Sequence, residues 1–456
     1  MADTEGGVSS MKETHIQTIG EAVAEYRNSV KTAVVCGGQR LSYQELWERS
    51  ERIARNLIRE GLEKGDRVIL DMERSADCVC MFLGLARAGG IAVYIHRGWP
   101  EKQRVYVIES CRPRRIVNDE TARALMQEKS FPGNEAAALP EVRGEDPFQI
   151  VYTSGSTGRP KGTVLAHRTA VNDRLPSQVG QTGAEHGARR LVDHDFSFVA
   201  STIFLLHGLF CEKTLVIPTG EELLNAERLA ALIEREDVTE VFWMSSRFLR
   251  LLSEPAMAAA VRRFRMFVFA GEKTPKGLLA AARKYMPEAE LFNVYAMSEL
   301  MVVGVYLLGP ENENLFAGSN EGIGLHLLDE RGEPVAGGET GELCVSGPPA
   351  RLGYYWAEPE ETERRYTLHP VLGRIFHTGD MAVAEKGGFR MKGRVDQMAK
   401  LRGMRIDLGA VEKAMLAQAE IRAAVALITG EGERQILCAY YTRDPEADHT
   451  APGAFE

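Results

Sequence analysis

Apolar and polar residues in the first part of the chain follow the pattern of strands that alternate with helices. Glycine pairs or glycine-acid pairs, such as Gly65-Asp66 and Gly89-Gly90, end the helical stretches. The predicted helices cover residues 41–66, 81–90 and 100–110, and the predicted strands cover 67–70, 91–95 and 115–117. Strands that alternate with helices predict a parallel α/β sheet.

The alternation continues in the middle of the chain and then changes to short strands. Residues 129–147 are rich in Pro, Gly, Ala and Glu, which predicts a surface connection. Further strands are predicted at 148–152, 214–217, 240–243 and 266–269, with helices at 226–235 and from 248 onward. Short strands with turns at 329–332 and 337–338 predict a β-rich element over 323–345, followed by a short α/β stretch over 396–441 and a loose acidic tail over 444–456.

Length and composition describe a globular protein with more than one packed unit. A chain of 456 residues predicts two or three subdomains, and 44% hydrophobic with 26% charged residues is typical of soluble proteins. The net charge of −9 argues against nucleic acid as a partner. No apolar stretch approaches the roughly 18 to 20 residues of a membrane span, and the first residues lack a signal pattern. We therefore expect no membrane partner and a cytoplasmic location.

Cysteine and histidine spacing argues against a metal centre. The seven cysteines are odd in number and lack paired CxxC spacing, which predicts buried reduced thiols. The ten histidines form no HExxH or comparable pattern. We expect no zinc site.

The strongest chemical feature is the sequence YTSGSTGRPKG at residues 152–162, directly after a predicted strand. Its glycines let the backbone wrap closely, its hydroxyls donate hydrogen bonds and Lys161 supplies a positive charge, which together suit a polyphosphate. It is not a Walker A loop, because the required spacing is missing and Pro160 would obstruct a helix start. The candidate phosphate-binding residues are Thr153, Ser154, Gly155, Ser156, Thr157, Gly158 and Lys161.

With this loop, the chain resembles the adenylate-forming superfamily, which includes acyl-CoA synthetases, luciferases and the adenylation domains of nonribosomal peptide synthetases. The resemblance covers nearly the whole chain, because further motifs follow in the family order. Residues 81–100 resemble "LKAGG…P", 293–299 (NVYAMSE) resemble "NxYGxTE", 341–355 resemble "GELxxxG…RGY", 377–380 (HTGD) resemble "TGD", and 393–403 (GRVDQMAKLRG) resemble "GRxDxQVKxRG".

The resemblance implies roles in ATP chemistry. Tyr295 offers a flat face to adenine, and Asp380 suits the ribose hydroxyls with Arg394 nearby. Ser298 can donate to the α-phosphate, and Glu299 can hold Mg²⁺ against the phosphates. The implied catalytic residues are Thr153, Lys161, Ser298 and Glu299, and the implied ATP-binding residues also include Ser154, Gly155, Ser156, Thr157, Gly158, Asn293, Tyr295, Asp380 and Arg394.

The resemblance also implies a division of the chain. A large core of parallel and mixed sheets with a β-rich subdomain would occupy 1–395, and a partial α+β subdomain would occupy 396–456, with Asp396 as the hinge. The family's adenylation lysine lies in a C-terminal "NGK" segment that does not occur before Glu456. A cut from a larger synthetase, a naturally interrupted domain and loss of activity would each explain this, and we favour the first.

The acyl pocket departs from the pattern of amino-acid-activating relatives. Their aspartate, which pairs with the substrate's α-ammonium, corresponds to Val199 here. A buried ammonium without a partner is costly, so a 2-keto or 2-hydroxy acid, as in depsipeptide synthetases, is favoured over an α-amino acid. Arg247 could face a second carboxylate or a keto oxygen, or point outward, and Asp193 or Asp195 could restore a carboxylate. The implied pocket residues are Phe198, Val199, Ala200, Ile203, Arg247, Val268, Ala270, Val294, Val302 and Val303.

Three functions are compatible with these motifs. The favoured one is ATP-dependent activation of a non-α-amino carboxylic acid, followed by transfer to the phosphopantetheine thiol of a carrier protein. A free-standing acyl-CoA synthetase is the second, and a nucleotide-binding module without catalysis is the third.

Overall fold

Three larger sheets with surrounding helices, followed by two small hairpins, make up the fold. The computed structural model describes residues 16–127, 138–154, 159–172, 188–271, 277–309, 315–316, 322–348, 352–385, 388–394, 398–401, 404–418, 420–430 and 434–443. The predicted hinge Asp396, the predicted tail and residues 129–137 of the predicted connection lie outside these ranges.

The first sheet contains the strands of the N-terminal units. Its strands are β3 (Arg67–Leu70), β4 (Ile91–Tyr94), β5 (Arg115–Val117), β6 (Pro147–Ser154), β7 (Pro160–Ala166) and β17 (Tyr354–Tyr355). They lie in the order β17-β7-β6-β4-β3-β5, and the pairs among β3, β4, β5 and β6 are parallel, whereas β7 and β17 pair antiparallel. The helices in this part of the chain are α1 (Ile19–Ala24), α2 (Tyr43–Arg59), α3 (Ala76–Arg87), α4 (Glu101–Cys111), α5 (Asp119–Met126) and α6 (His167–Asn172).

The second sheet brings the middle of the chain together with an N-terminal hairpin. Its strands are β1 (Thr32–Cys36), β2 (Gln39–Ser42), β8 (Arg189–Leu191), β9 (Thr214–Ile217), β10 (Glu240–Trp243), β11 (Met266–Ala270), β12 (Glu290–Met297) and β13 (Met301–Leu307). They lie in the order β13-β12-β11-β10-β8-β9-β1-β2, with parallel pairing from β12 through to β1. The associated helices are α7 (Val199–Phe210), α8 (Gly220–Leu224), α9 (Ala226–Arg235), α10 (Ser245–Leu251), α11 (Pro255–Ala260) and α12 (Leu278–Tyr285).

The third sheet is antiparallel and confirms the predicted β-rich element. Its strands are β14 (Leu315–Phe316), β15 (Gly324–Leu328), β16 (Thr340–Ser346), β18 (Tyr366–His369), β19 (Gly373–Glu385) and β20 (Gly388–Arg394), and α13 (Pro359–Arg365) precedes β18. The strand order is β14-β20-β19-β16-β15, with β18 paired to β19. The β-rich part therefore extends well beyond the predicted end at residue 345.

The last described residues form hairpins and one helix. The hairpin β21 (Met398–Leu401) with β22 (Met404–Asp407) is followed by α14 (Leu408–Leu416) and by the hairpin β23 (Ile421–Thr429) with β24 (Ile436–Arg443). This is the α+β composition that the resemblance implied for the region. A boundary at residue 396 remains a prediction.

Two predicted helix boundaries were wrong, and capping explains why. Leu41 belongs to β2, because Ser42 caps α2: its hydroxyl accepts from the Glu45 N–H, and the Glu45 carboxylate accepts from the Ser42 N–H. That helix ends at Arg59 rather than at Gly65. The next helix, α3, begins at Ala76 because Ser75 caps it, and not at residue 81.

Two expectations from composition can be compared with the structure. All seven cysteines are free thiols, and five of them are buried, as predicted. Within the described part of the chain, none of the helices combines the length and hydropathy that a bilayer crossing requires.

Candidate active site

Tyr295, Asp380 and Arg394, which the sequence motifs placed at the nucleotide, form one hydrogen-bonded group. Arg394 Nη1 donates to Asp380 Oδ1 over 2.6 Å, and Arg394 Nη2 donates to the Thr378 carbonyl over 3.2 Å. The Tyr295 hydroxyl donates to Asp380 Oδ2. Burial, and then the Asp380 charge, raises the pKa of Tyr295, so its hydroxyl stays a donor. Strands β12, β19 and β20 thus hold a carboxylate in a fixed orientation beside an aromatic ring.

The turn that carries Asp380 is held by side chains of β16. The Gly379 N–H donates to Glu342 Oε1 over 2.8 Å, and His377 Nδ1 lies 3.0 Å from Glu342 Oε2. Burial tends to raise the pKa of Glu342, but the hydrogen bonds from His377 and Gly379 outweigh it, so the pKa is lowered. These contacts keep the carboxylate ionised and orient the backbone next to Asp380.

Ligand-type atoms of Glu342, Cys344 and His377 lie within 4.8 Å of one another, although the sequence showed no zinc pattern. The Cys344 Sγ is 3.6 Å from His377 Nδ1, and burial, followed by the Glu342 charge, raises the pKa of this thiol to about 12. The thiol therefore stays protonated and acts as a small buried group. With both Glu342 oxygens engaged in hydrogen bonds, the arrangement explains the support of the Asp380 turn.

The phosphate loop connects β6 and β7, and the described residues show both of its ends. Thr153 pairs with Lys161 in the register of the hairpin, and Ser154 pairs with Pro160. A side chain at Gly162 would come within 2.8 Å of Ile150, so close packing requires glycine there. The tip of the loop lies outside the described residues, and it contains the predicted residues Gly155, Ser156, Thr157 and Gly158.

Lys161 is nearly buried and forms an ion pair that its sequence motif does not reveal. Its Nζ lies 2.9 Å from Glu361 Oε1, and the two side chains are 11% and 14% exposed. Glu361 belongs to α13 and is also bound by Arg364 at 2.6 Å. The lysine is therefore anchored at the base of the loop by a residue two hundred positions further along the chain.

Ser298 and Glu299 occupy the turn between β12 and β13. Glu299 is buried, and the Tyr355 hydroxyl donates to its Oε1 over 3.0 Å. Burial, and then the Glu299 charge, raises the pKa of Tyr355, which keeps this hydroxyl a donor. Next to Tyr355, Gly353 has φ 63°, and a Cβ there would lie 2.6 Å from the Val164 carbonyl oxygen. The glycine thus permits the close approach that brings Tyr355 to Glu299.

Asn293 lies on the same strand, β12, two residues before Tyr295, and is buried. Alternate residues of a strand face the same side, so Asn293 and Tyr295 share a face. Phe292 and Val294 face the other side, where they join the main apolar core. The strand therefore separates the predicted nucleotide residues from the predicted acyl residues.

Most predicted acyl-pocket residues belong to a single apolar cluster. Within the described residues, this cluster contains Ile203, Val268, Ala270, Val294 and Val302, and Val199 and Ala200 pack against it. Val303 instead belongs to the cluster around Tyr295. Because neighbouring residues of β13 point to opposite faces, the structure does not bring Val303 to the other seven.

Arg247, whose direction the sequence left open, is fixed by a buried carboxylate. Its Nη2 lies 2.7 Å from Asp193 Oδ2, to which the Trp243 indole N–H also donates over 2.7 Å. Burial would raise the pKa of Asp193, but the Arg247 charge and hydrogen bonds from His194 and Trp243 lower it to about 2. Arg247 does not point outward, and Asp193 is an ionised group that already has its counter-charge.

Asp195 and Phe198 lie at a more exposed edge of the same region. Asp195 Oδ1 accepts from the Ser197 N–H over 2.9 Å and from its hydroxyl over 2.6 Å. His96 Nε2 lies 3.8 Å from Asp195 Oδ2, with both side chains 35% exposed, and its ring is in edge contact with Phe198. This edge is accessible to solvent, in contrast to the buried pair of Asp193 and Arg247.

Sequence reasoning missed several residues that the structure brings to the site. These are Arg74, His194, Trp243, Glu342, Tyr355, Glu361 and His377. Glu342, Tyr355 and His377 stand inside quoted motifs, so their position was a usable signal. Glu361 and Trp243 belong to no motif, and only the folded chain brings them there.

The parallel strands, the glycine-rich hairpin loop and the carboxylate beside Tyr295 define a nucleotide-binding α/β enzyme core. Comparisons with known proteins specify the class further. Residues 21–355 match the family described as AMP-binding enzyme. Tyrocidine synthase 3 from Brevibacillus parabrevis is 29% identical over 453 residues, which cover 95% of this chain and 7% of that protein.

Solved structures agree in fold. NpsA-ThdA, an artificially fused adenylation-PCP di-domain from Klebsiella oxytoca, has a TM-score of 0.81 and 24% identity, and the match covers 94% of this chain and 89% of that one. IdnL1 has a TM-score of 0.81 and 25% identity, with 95% of this chain and 93% of that one covered.

The chain belongs to the AMP-binding enzyme family, and it has the adenylate-forming fold. It is an ATP-dependent adenylating domain of the nonribosomal peptide synthetase type. It spans only 7% and 18% of the length of the first two curated relatives that it matches.

Proposed function

We propose that the protein activates a carboxylic acid lacking an α-ammonium group, such as a 2-keto or 2-hydroxy acid, as its acyl-adenylate with release of pyrophosphate. The acyl group then passes to the phosphopantetheine thiol of a carrier protein. The observation that carries the choice of acid is the apolar surrounding of Val199, together with a buried Asp193 whose charge Arg247 already balances. An ammonium group placed there would lose its hydration without gaining a counter-ion.

The nucleotide half of the proposal assigns each polar group a task. Asp380, held by Arg394 and Tyr295, accepts hydrogen bonds from the ribose hydroxyls, while Tyr295 presents its ring to adenine. Thr153, Ser154 and the tip of the loop hold the phosphates, and Lys161 offsets their charge.

Glu299 offers an oxygen ligand of the kind that Mg²⁺ prefers, and its burial suits a bound cation. When bound, the ion would neutralise phosphate charge. Ser298, half-buried beside Glu299, is placed to donate a hydrogen bond to the α-phosphate. These groups position the two reactants and balance charge as the carboxylate attacks, which is the main route to catalysis in phosphoryl chemistry.

The carrier-protein step is supported by the relatives, because the NpsA-ThdA structure combines an adenylation domain with a PCP domain. The proposed organisation is a core over 1–395 that binds ATP and acid, and a subdomain from 396 that turns about Asp396 between the two half-reactions.

The test is hydroxylamine-trapped adenylate formation by the full-length protein with a panel of amino, keto, hydroxy and aryl acids. We expect adenylate with a keto or hydroxy acid, and transfer to a carrier-bound thiol in preference to free coenzyme A. A faster rate with leucine or valine than with their keto analogues would contradict the assigned acid. ATP binding without adenylate from any acid would indicate a binding module.

A further inference from the structure

Asp193, Arg247, His194 and Trp243 form a polar wall beside the apolar acyl cluster. Asp193 follows β8, Trp243 ends β10 and Arg247 lies in α10. Parallel strands bring these carboxyl ends to one edge of the second sheet, the usual place of ligand sites in α/β folds. The His194 ring contacts Phe242, with ring centroids 5.1 Å apart, and Phe242 belongs to the same cluster as Val268 and Val294. The wall therefore borders the predicted acyl pocket.

Hydrogen-bonding capacity remains on this wall. Arg247 uses Nη2 for Asp193, and its Nε is buried without a hydrogen-bond partner among the described residues. The same holds for His194 Nε2 within that part of the chain. A buried guanidinium N–H that lacks an acceptor is unfavourable, and native proteins rarely leave one without a ligand or water.

The charges of the region balance without a ligand. Arg247 is paired with Asp193, and Arg74 Nη1 donates to the Asp193 carbonyl over 2.7 Å. Arg74 also lies in the field of Asp193 and Asp195, so the region has two guanidinium groups and two carboxylates. A second carboxylate on the substrate would add an uncompensated charge, whereas a neutral oxygen would add none.

We infer that Arg247 binds a neutral oxygen of the acid, a keto or hydroxyl group, and selects such acids over both their methylene analogues and dicarboxylic acids. This rests on the proposed function, since it names the group of the same substrate that the protein recognises. A site that hydrogen-bonds a substrate oxygen discriminates strongly against the analogue that lacks it, because its own buried polar group then loses its partner.

The first measurement uses the unaltered full-length protein and three acids of equal chain length: a 2-oxo acid, its methylene analogue and a dicarboxylic acid. We expect kcat/KM for adenylate formation to be at least roughly tenfold higher for the oxo acid than for either other acid. Equal rates with the methylene analogue, or a preference for the dicarboxylic acid, would overturn the inference.

The second measurement compares Arg247→Lys with Arg189→Lys. Arg189 is a matched control, because it pairs with Glu236 at 2.5 Å, is 22% exposed against 19% for Arg247, and lies at the opposite end of β8. Lysine keeps each charge but lacks the planar fork of arginine. Arg247→Lys should reduce the oxo preference to less than about threefold with KM for ATP unchanged, and Arg189→Lys should leave the preference intact.

The double variant Asp193→Asn with Arg247→Met guards against a folding effect, since it removes both charges together. It should also lose the oxo preference. Retained preference in either Arg247 variant would overturn the assignment of Arg247 alone. Adenylate formation with none of the acids would overturn the proposed function and this inference together.

Discussion

The ion pair of Lys161 and Glu361 permits a direct test of the phosphate loop. Lys161 is paired with Thr153 at the base of the loop and is held 2.9 Å from Glu361. Replacing the lysine therefore removes two things at once: a positive charge near the predicted phosphates and a contact between β7 and α13. A variant that removes only the contact is needed to separate them.

The two effects differ in expected size. Removing one partner of a buried ion pair costs about 3–5 kcal/mol in unfolding free energy. Glu361 keeps Arg364 at 2.6 Å, so the lower end, about 3 kcal/mol, applies to loss of Lys161. Loss of one preorganised group that stabilises transition-state charge lowers kcat by roughly 10²- to 10³-fold.

Lys161→Ala and Glu361→Gln should therefore lose similar stability but different activity. Urea unfolding should show both variants destabilised by about 2–3 kcal/mol. In ATP–pyrophosphate exchange, measured well below the unfolding temperature, Lys161→Ala should lose at least about a hundredfold, and Glu361→Gln less than about tenfold. Equal losses of activity would refute the phosphate role and assign Lys161 to packing alone, as would unchanged exchange kinetics in Lys161→Ala.

Three other changes test separate parts of the site and fold. Asp380→Asn should raise KM for ATP at least about tenfold, whereas Tyr295→Phe, which keeps the ring, should raise it less than about threefold; equal effects would contradict the ribose assignment. Val199→Asp should create measurable adenylate formation with valine or leucine, and its absence would contradict the assigned place of Val199 in the pocket. His167 is buried, its Nδ1 accepts from the Ile19 N–H, and burial lowers its pKa from 6.5 to about 4. Its unfolded form thus binds a proton that the folded form does not between these pH values. Stability should therefore be full above pH 6.5 and fall by about 3 kcal/mol toward pH 4, and His167→Gln should remove this part of the pH dependence in urea titrations.

Short strands were the part of the fold that the sequence predicted most accurately. The predicted strands at 67–70, 115–117, 214–217 and 240–243 have the same bounds in the structure. Each is an apolar, β-branched or aromatic run, so the pattern itself marks the ends. Helix ends were less accurate where a capping serine, as at Ser42 and Ser75, outweighed the apolar pattern.

The site was predictable where a motif carries it and not where distant residues meet. Tyr295 and Asp380 were placed at the nucleotide by their motifs, and the structure brings them together. The partner of Lys161 was not predictable, because the pairing of β17 with β7 brings α13 to the loop. Val302 and Val303 illustrate the other limit, since a motif fixes position along the chain while the pleat of β13 decides the face.

The choice of acid depends on two features of the pocket that agree for different physical reasons. Val199 removes the carboxylate that an α-ammonium group would need. Asp193 is the buried carboxylate that could have replaced it, but its charge is balanced by Arg247 at 2.7 Å. Asp195 is held by Ser197 and is exposed enough for water to screen its charge. An ammonium group would thus meet an apolar surface, a neutralised pair and a screened carboxylate, whereas a keto or hydroxyl oxygen would meet the remaining donor of Arg247.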